Sequence, residues 1–169
     1  ESMREAAARA KLKPEDERLF RWLRLNQWGT SKLTTWQPIE LFDQTVGDWK
    51  PVDLIGRDCY VGTDLSTTTD LSATAYIFPP QGDQLDWRVF WHTWIPQENM
   101  QERMVRDHVP YDKWLGDGSL IATPGNVIDY IAIKEDILKM RHVFNIKEVA
   151  ADPAFATMLL QELMGEGVN

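Results

Sequence analysis

Cysteine is almost absent from this chain. Cys59 stands alone among 169 residues, so no internal disulfide can form, and no CxxC pair or Cys/His cluster exists to hold zinc. That usage fits a reducing cytosol. Long apolar runs are also missing. Nothing approaches the roughly eighteen consecutive apolar residues of a membrane span, and the opening "ESMREAAARAKLKPEDERLF" is too charged for a signal peptide. No membrane partner is expected. Basic residues are outnumbered, 18 Lys and Arg against 26 Asp and Glu, for a formal net charge of -8. Proteins that grip nucleic acid through phosphates usually show clustered Lys and Arg, and the composition supplies no such cluster. A GxxxxGK[ST] phosphate loop is absent too.

What is present suits a folded globule. Hydrophobic residues make up 43% and charged residues 26%, enough for one domain with a sizeable core. Eight tryptophans are scattered along the chain, a distribution that favours packing over a base-stacking platform. Three histidines, His92, His108 and His142, fall on unrelated elements, which favours surface or packing roles.

Residues 1–57 read as an arm. An Ala-rich helix at "SMREAAARAKL" precedes a second helix opened by Pro14, with Glu15, Asp16 and Glu17 placed to favour its dipole. The following Gly-, Pro- and Thr-containing stretch reads as a tethered loop that packs through its Trp residues and Phe42. Residues 58–169 carry regular elements. Alternation from Cys59 to Leu65, then "SATAYIF" and "WRVFWHTWI", predicts three antiparallel strands, with "PPQGDQ" turning between the second and third. A helix is predicted over "PQENMQERMVRD", and a turn around Asp117-Gly118 leads to a short strand. A helix starting at Asp129 carries Ile133, Ile137, Met140 and Phe144 on one face. "IKEVAADP" predicts a buried strand, and a final amphipathic helix carries Phe155, Met158, Leu159 and Leu163.

One stretch, "CYVGTDLSTTTDLSATAYIF", places Asp64 inside a predicted strand, where Asp is disfavoured. Asp152 ends another. A strand that follows a helical crossover runs parallel to the first, so if the two are neighbours their carboxylates form an oxygen-rich pocket suited to magnesium or manganese. Both acids equally fit plainer roles, Asp64 as a cap on the "STTT" turn and Asp152 as a strand end before Pro153. Asp70 and Asp129 read as turn or cap residues.

The strings "RWLRLNQW", "VGTDLSTTTDLSA", "VPYDKWLGDGSLIATPGNVIDY" and "VAADPAFATMLLQEL" together resemble the large terminase subunit of tailed bacteriophages, in the same order and over nearly the whole chain. The resemblance implies an α/β ribonuclease H-like mixed sheet flanked by helices. It implies a nuclease domain cutting concatemeric double-stranded DNA with two Mg2+ or Mn2+ ions, in the cytoplasm of a bacterial host. Asp64 and Asp152 match its metal-binding acids. Asp70 matches a position in the first motif and is a further candidate ligand. The terminase small subunit and the portal protein are the implied partners.

The match departs from the family in two places. Residues 1–57 resemble the connector from an ATPase domain whose phosphate loop is missing. The family's third catalytic acid, on a C-terminal helix beyond a further strand, has no counterpart, since Glu162 and Glu166 do not match that motif. The expectation is a sheet lacking its C-terminal strand and helix, with weak metal binding. Two other classes remain open at this point. "DLSTTT" also resembles the phosphate loop of sugar kinases and related ATPases, although Ser66 stands where that loop has Gly. A catalytically idle docking domain of the packaging motor is the third reading.

Overall fold

The computed structural model describes residues 3–11, 17, 20–21, 24–25, 38–67, 70–98 and 100–168. Of the helix expected from Pro14, residues 17, 20–21 and 24–25 are helical, while Pro14, Trp28 and Trp36 lie outside the described residues. The chain divides into two units, Glu1–Asp48 and Trp49–Asn169. The first contains α1 (Met3–Ala10), where the Ala-rich helix was expected, and α2 (Ile39–Asp43). Phe42, expected to pack, is exposed on α2.

The second unit opens with a 3-10 turn, Pro51–Leu54, that buries Leu54. There follow β1 (Asp58–Asp64), β2 (Ser72–Phe78), β3 (Arg88–Pro96), α3 (Met100–Asp107), α4 (Tyr111–Gly116), β4 (Ile121–Thr123), α5 (Tyr130–Arg141), β5 (Asn145–Ala151) and α6 (Pro153–Gly165). The strands form one five-stranded sheet in the order β4-β3-β2-β1-β5. The first three are the expected antiparallel meander, while β4 runs parallel to β3 and β5 parallel to β1. Gly82, at φ +60, makes the sharp turn between β2 and β3 with a conformation that a side chain would strain.

Alternation along each strand sends large side chains to one face. Cys59 and Val61 of β1, Tyr76 and Phe78 of β2, and Trp94 of β3 bury together with Ile133 and Ile137 of α5 and Leu159 and Leu163 of α6. Rings interlock here, with Tyr76 stacked on Phe90 at 4.8 Å and Phe78 edge-on to Phe144 at 5.0 Å between centroids. Ile95, one residue beyond Trp94, points the other way and joins a smaller cluster with Tyr111 and Leu120, packed by Met104 and Trp114 from α3 and α4. Helices therefore flank both faces.

Four local expectations need correcting. Tyr111–Gly116, to which no helix was assigned, is a short helix, and the turn expected around Asp117-Gly118 follows it, with Gly118 at φ +81. The strand read as buried is the sheet's edge, with Val149 its one buried residue. Its ladder with β1 is irregular, pairing Cys59 with Ile146 but Tyr60 with Glu148. That extra residue puts Ile146 and Val149 on the same face, which strict alternation would forbid. Phe144 is buried but lies beyond the end of α5, and Met158 of α6 is 69% exposed while Leu159 and Leu163 are buried. The side chain of Phe155 lies outside the described residues.

Candidate functional site

The face opposite the main core is built differently across β3, β2, β1 and β5. The register aligns Gly62 with Ala75 and Trp91 on one side and with Ala150 on the other, and it aligns Asp64 with Ala73. Glycine and alanine leave no side-chain bulk above the sheet. The result is an open recess of about 510 Å³ lined by Gly62, Thr63, Asp64, Ala73, Ala75, Trp91, Ala150 and Ala151. A Cβ built on Gly62 would meet no atom within 4 Å. Trp91 forms a wall and is 63% exposed, whereas Trp94, three residues on, is 1% exposed in the core.

Asp64 is the last residue of β1, and Asp152 is the first residue after β5. Their predecessors, Thr63 and Ala151, are partners in the parallel ladder. The two acids thus occupy equivalent positions at one end of neighbouring strands, which lie about 4.8 Å apart in any sheet. Among the described residues, the Asp64 carboxylate has no hydrogen-bond or ion-pair partner, so it caps no turn there. On the packed face beside it, the Thr63 and Thr74 hydroxyls bond each other at 2.6 Å.

The loop leaving Asp64 is held by other groups. The Ser66 amide donates to Ser72 Oγ at 2.9 Å, and its hydroxyl donates to the Asp70 carbonyl at 2.6 Å. Asp70 is exposed and is not among the residues lining the recess. Asp129 is the N-cap of α5, as its position implies, with Oδ1 accepting from the amides of Ile131 and Ala132. Among the described residues, no group of three or more His, Cys, Asp or Glu is placed to hold a metal.

The remaining polar groups serve the scaffold. Asp136 on α5 accepts from the Tyr76 hydroxyl at 2.8 Å and bonds His92 Nδ1 at 2.7 Å, tying α5 to β2 and β3. Burial and the adjacent Asp136 carboxylate hold the Tyr76 hydroxyl well above the usual tyrosine range. Lys134 donates to Glu162 at 2.6 Å, and that bond raises the lysine's pKa. Arg141 donates to the Glu166 carbonyl, and Lys147 lies 3.1 Å from Asp58. His142 caps the end of α5, and His108 takes a positive φ of 55 after α3.

Sequence reasoning singled out the acids but not the recess. Trp91, Gly62 and the alanines acquire their meaning only from cross-strand register. A signal was present in the small residues at alternate positions of "GTD" and "ATA", opposite the large ones.

The mixed sheet with helices on both faces is an α/β fold of ribonuclease H-like architecture, carrying acids at the ends of adjacent parallel strands. The model of the family "Terminase large subunit, endonuclease domain" matches residues 1–166. The large terminase subunit of Enterobacteria phage HK97 is 34% identical over 155 residues, covering 89% of this chain and 29% of that protein. Protein YmfN of Escherichia coli strain K12 is 23% identical over 177 residues, covering 95% of this chain and 37% of that protein. The crystal structure of the HK97 large terminase superposes with a TM-score of 0.63 at 28% identity, over 98% of this chain and 33% of that one. This chain belongs to the terminase large-subunit endonuclease-domain family. It spans about a third of the length of these relatives.

Proposed function

We propose that this chain is a divalent-metal-dependent endonuclease, cutting concatemeric double-stranded DNA for a viral packaging motor in the cytoplasm of a bacterial host. Asp64 and Asp152 hold a pair of Mg2+ or Mn2+ ions, with Asp70 as a subsidiary ligand. One observation carries the reading: the Asp64 carboxylate, without a partner among the described residues, stands at the same strand end as Asp152 and opens on the recess. Asp64 is exposed at the end of its strand, so burial demands no partner for it, and the reading rests on its place beside Asp152 at the recess. Carboxylate oxygens are the donors that these hard ions select.

When bound, the ions supply the Lewis acidity that phosphodiester hydrolysis requires. The chain's own residues supply position. The β1–β5 ladder fixes both acids on rigid backbone, and the floor of Gly62, Ala73 and Ala75 leaves room for a sugar-phosphate chain beside them. The net charge of -8 repels DNA until cations neutralise the acids. Of five lysines and arginines on α4, α5 and β5, Lys134, Arg141 and Lys147 are engaged within the protein, and exposed Lys113 and Lys139 are candidate phosphate contacts. In an assembled motor the partners are the terminase small subunit and the portal protein.

Plasmid cleavage with magnesium or manganese, run beside a nucleotide-hydrolysis assay, tests this. Cutting that requires the ion and disappears in Asp64→Asn and Asp152→Asn is expected. Nucleotide hydrolysis without cutting selects the sugar-kinase-like ATPase reading instead. Absence of metal binding together with unaltered partner binding in Asp64→Asn selects the docking domain.

A further inference from the structure

Among the described residues Asp64 has no side-chain partner to steer it, so its placement depends on where β1 ends and how the next loop leaves. That loop is held from two directions. Within the hairpin, the Ser66 amide and hydroxyl bond Ser72 and Asp70. From outside it, the Tyr130 hydroxyl donates to the Ser66 carbonyl at 2.8 Å, and the Ile128 amide donates to the Thr67 carbonyl at 3.0 Å. With Tyr130, all three polar groups of Ser66 are engaged.

Tyr130 is the first residue of α5, and its half-buried ring packs on the main core. The helix behind it is anchored at several points. Asp129 caps it, Ile133 and Ile137 bury against the sheet, and Lys134 ties it to Glu162 of α6. The helix α6 begins at Pro153, immediately after Asp152. The same helix is therefore bonded to the loop that leaves one acid and to the helix that leaves the other.

We propose that Tyr130 is a positioning residue for the acid pair: through the Ser66 carbonyl it fixes the end of β1 against α5 and so sets Asp64 relative to Asp152. The role rests on the metal-binding reading above. Removing the hydroxyl leaves the ring packing intact but releases the Ser66 carbonyl, and a carboxylate on a looser strand end binds an ion less well. Partners that orient metal ligands from behind them typically change affinity by about 10- to 100-fold, and a partner acting through the backbone belongs at the lower end, about tenfold.

The test is a manganese titration of the 169-residue chain, followed by the free-ion electron paramagnetic resonance signal. Tyr130→Phe is compared with the unaltered chain and with Tyr76→Phe, which removes a tyrosine hydroxyl bonded at the same 2.8 Å, but to Asp136 away from the acids. Circular dichroism checks that each variant is folded. Tyr130→Phe is expected to bind manganese about tenfold more weakly. Tyr76→Phe should stay within about twofold of the unaltered chain, because the sites are independent. DNA cleavage should show the same split, with more manganese needed for half-maximal rate and the maximal rate largely preserved. Unchanged affinity in Tyr130→Phe, or an equal loss in Tyr76→Phe, overturns the positioning role while leaving the metal site standing. No manganese binding by the unaltered chain overturns the metal site itself, and the role with it.

Discussion

The two faces of the sheet use the same strands for opposite ends. One face presents Cys59, Val61, Tyr76, Phe78 and Trp94 to α5 and α6 and is sealed. The other, at Gly62, Ala73, Ala75 and Ala150, keeps its backbone open beneath exposed Trp91 and beside Asp64. Residues one apart in sequence thus experience different physics. A change on the sealed face alters stability through packing, while a change on the open face should alter chemistry and leave the fold nearly untouched.

The sharpest way to break that contrast is at the acids. Asp64→Asn should abolish metal-dependent cutting of plasmid DNA and leave the apo melting temperature unchanged or slightly raised, because a carboxylate with no partner stabilises nothing and repels its neighbour. Asp152→Asn should do the same to cutting. A large fall in melting temperature for Asp64→Asn would mean that the carboxylate caps local structure after all.

The sealed face should give the reverse pattern. Trp94→Ala removes a side chain that is 1% exposed from the centre of the core, and urea unfolding should register a loss of about 3–5 kcal/mol. Trp91→Ala, on the open face, should cost no more than about 0.5 kcal/mol. If the two tryptophans cost the same, the open face is a packed interface.

Gly62→Val probes the recess directly. The added Cβ meets nothing within 4 Å and the recess above it is open, so stability should move by less than about 1 kcal/mol, while the filled floor should hinder DNA cleavage. Undiminished cleavage at normal stability would detach the recess from the function.

A further effect on the sealed face appears only in alkali. Burial pushes the Cys59 thiol from 9.0 up to about 12. Its folded pKa lies above its unfolded one, so its contribution is complete below pH 9.0 and is lost as pH rises toward about 12. Between those values the unaltered chain should lose stability faster than Cys59→Ala, by at most about 1.4 kcal/mol per pH unit, in urea titrations at stepped pH. Equal slopes would place the thiol in contact with water.

Strands β1, β2 and β3 and helix α5 were legible because each has one sealed face, which imposes a period of two or of 3.6 on its apolar residues. The edge strand β5 was not legible as an edge. "IKEVAA" spaces its apolar residues by three, a pattern that makes sense only with the irregular pairing at Cys59 and Tyr60. The helix α4 was hidden by its shortness, six residues opened by a proline and closed at a glycine-bearing turn.

The same division holds for the site. Composition and order alone determined an α/β chain with carboxylates at Asp64 and Asp152, because alternation, capping and strand-breaking residues act over a few neighbours. Which strands lie side by side was decided by tertiary structure. The parallel pairing of β1 with β5 brings Thr63 beside Ala151 and so sets the acids that follow them at neighbouring strand ends, although 87 residues of chain lie between them, while Asn145 bonds Asp58 at the strands' other end. The tyrosine at the head of α5 reaches the Ser66 carbonyl for the same reason: long-range burial of Ile133 and Ile137 sets the helix on the sheet, and no local pattern in the sequence encodes that distance.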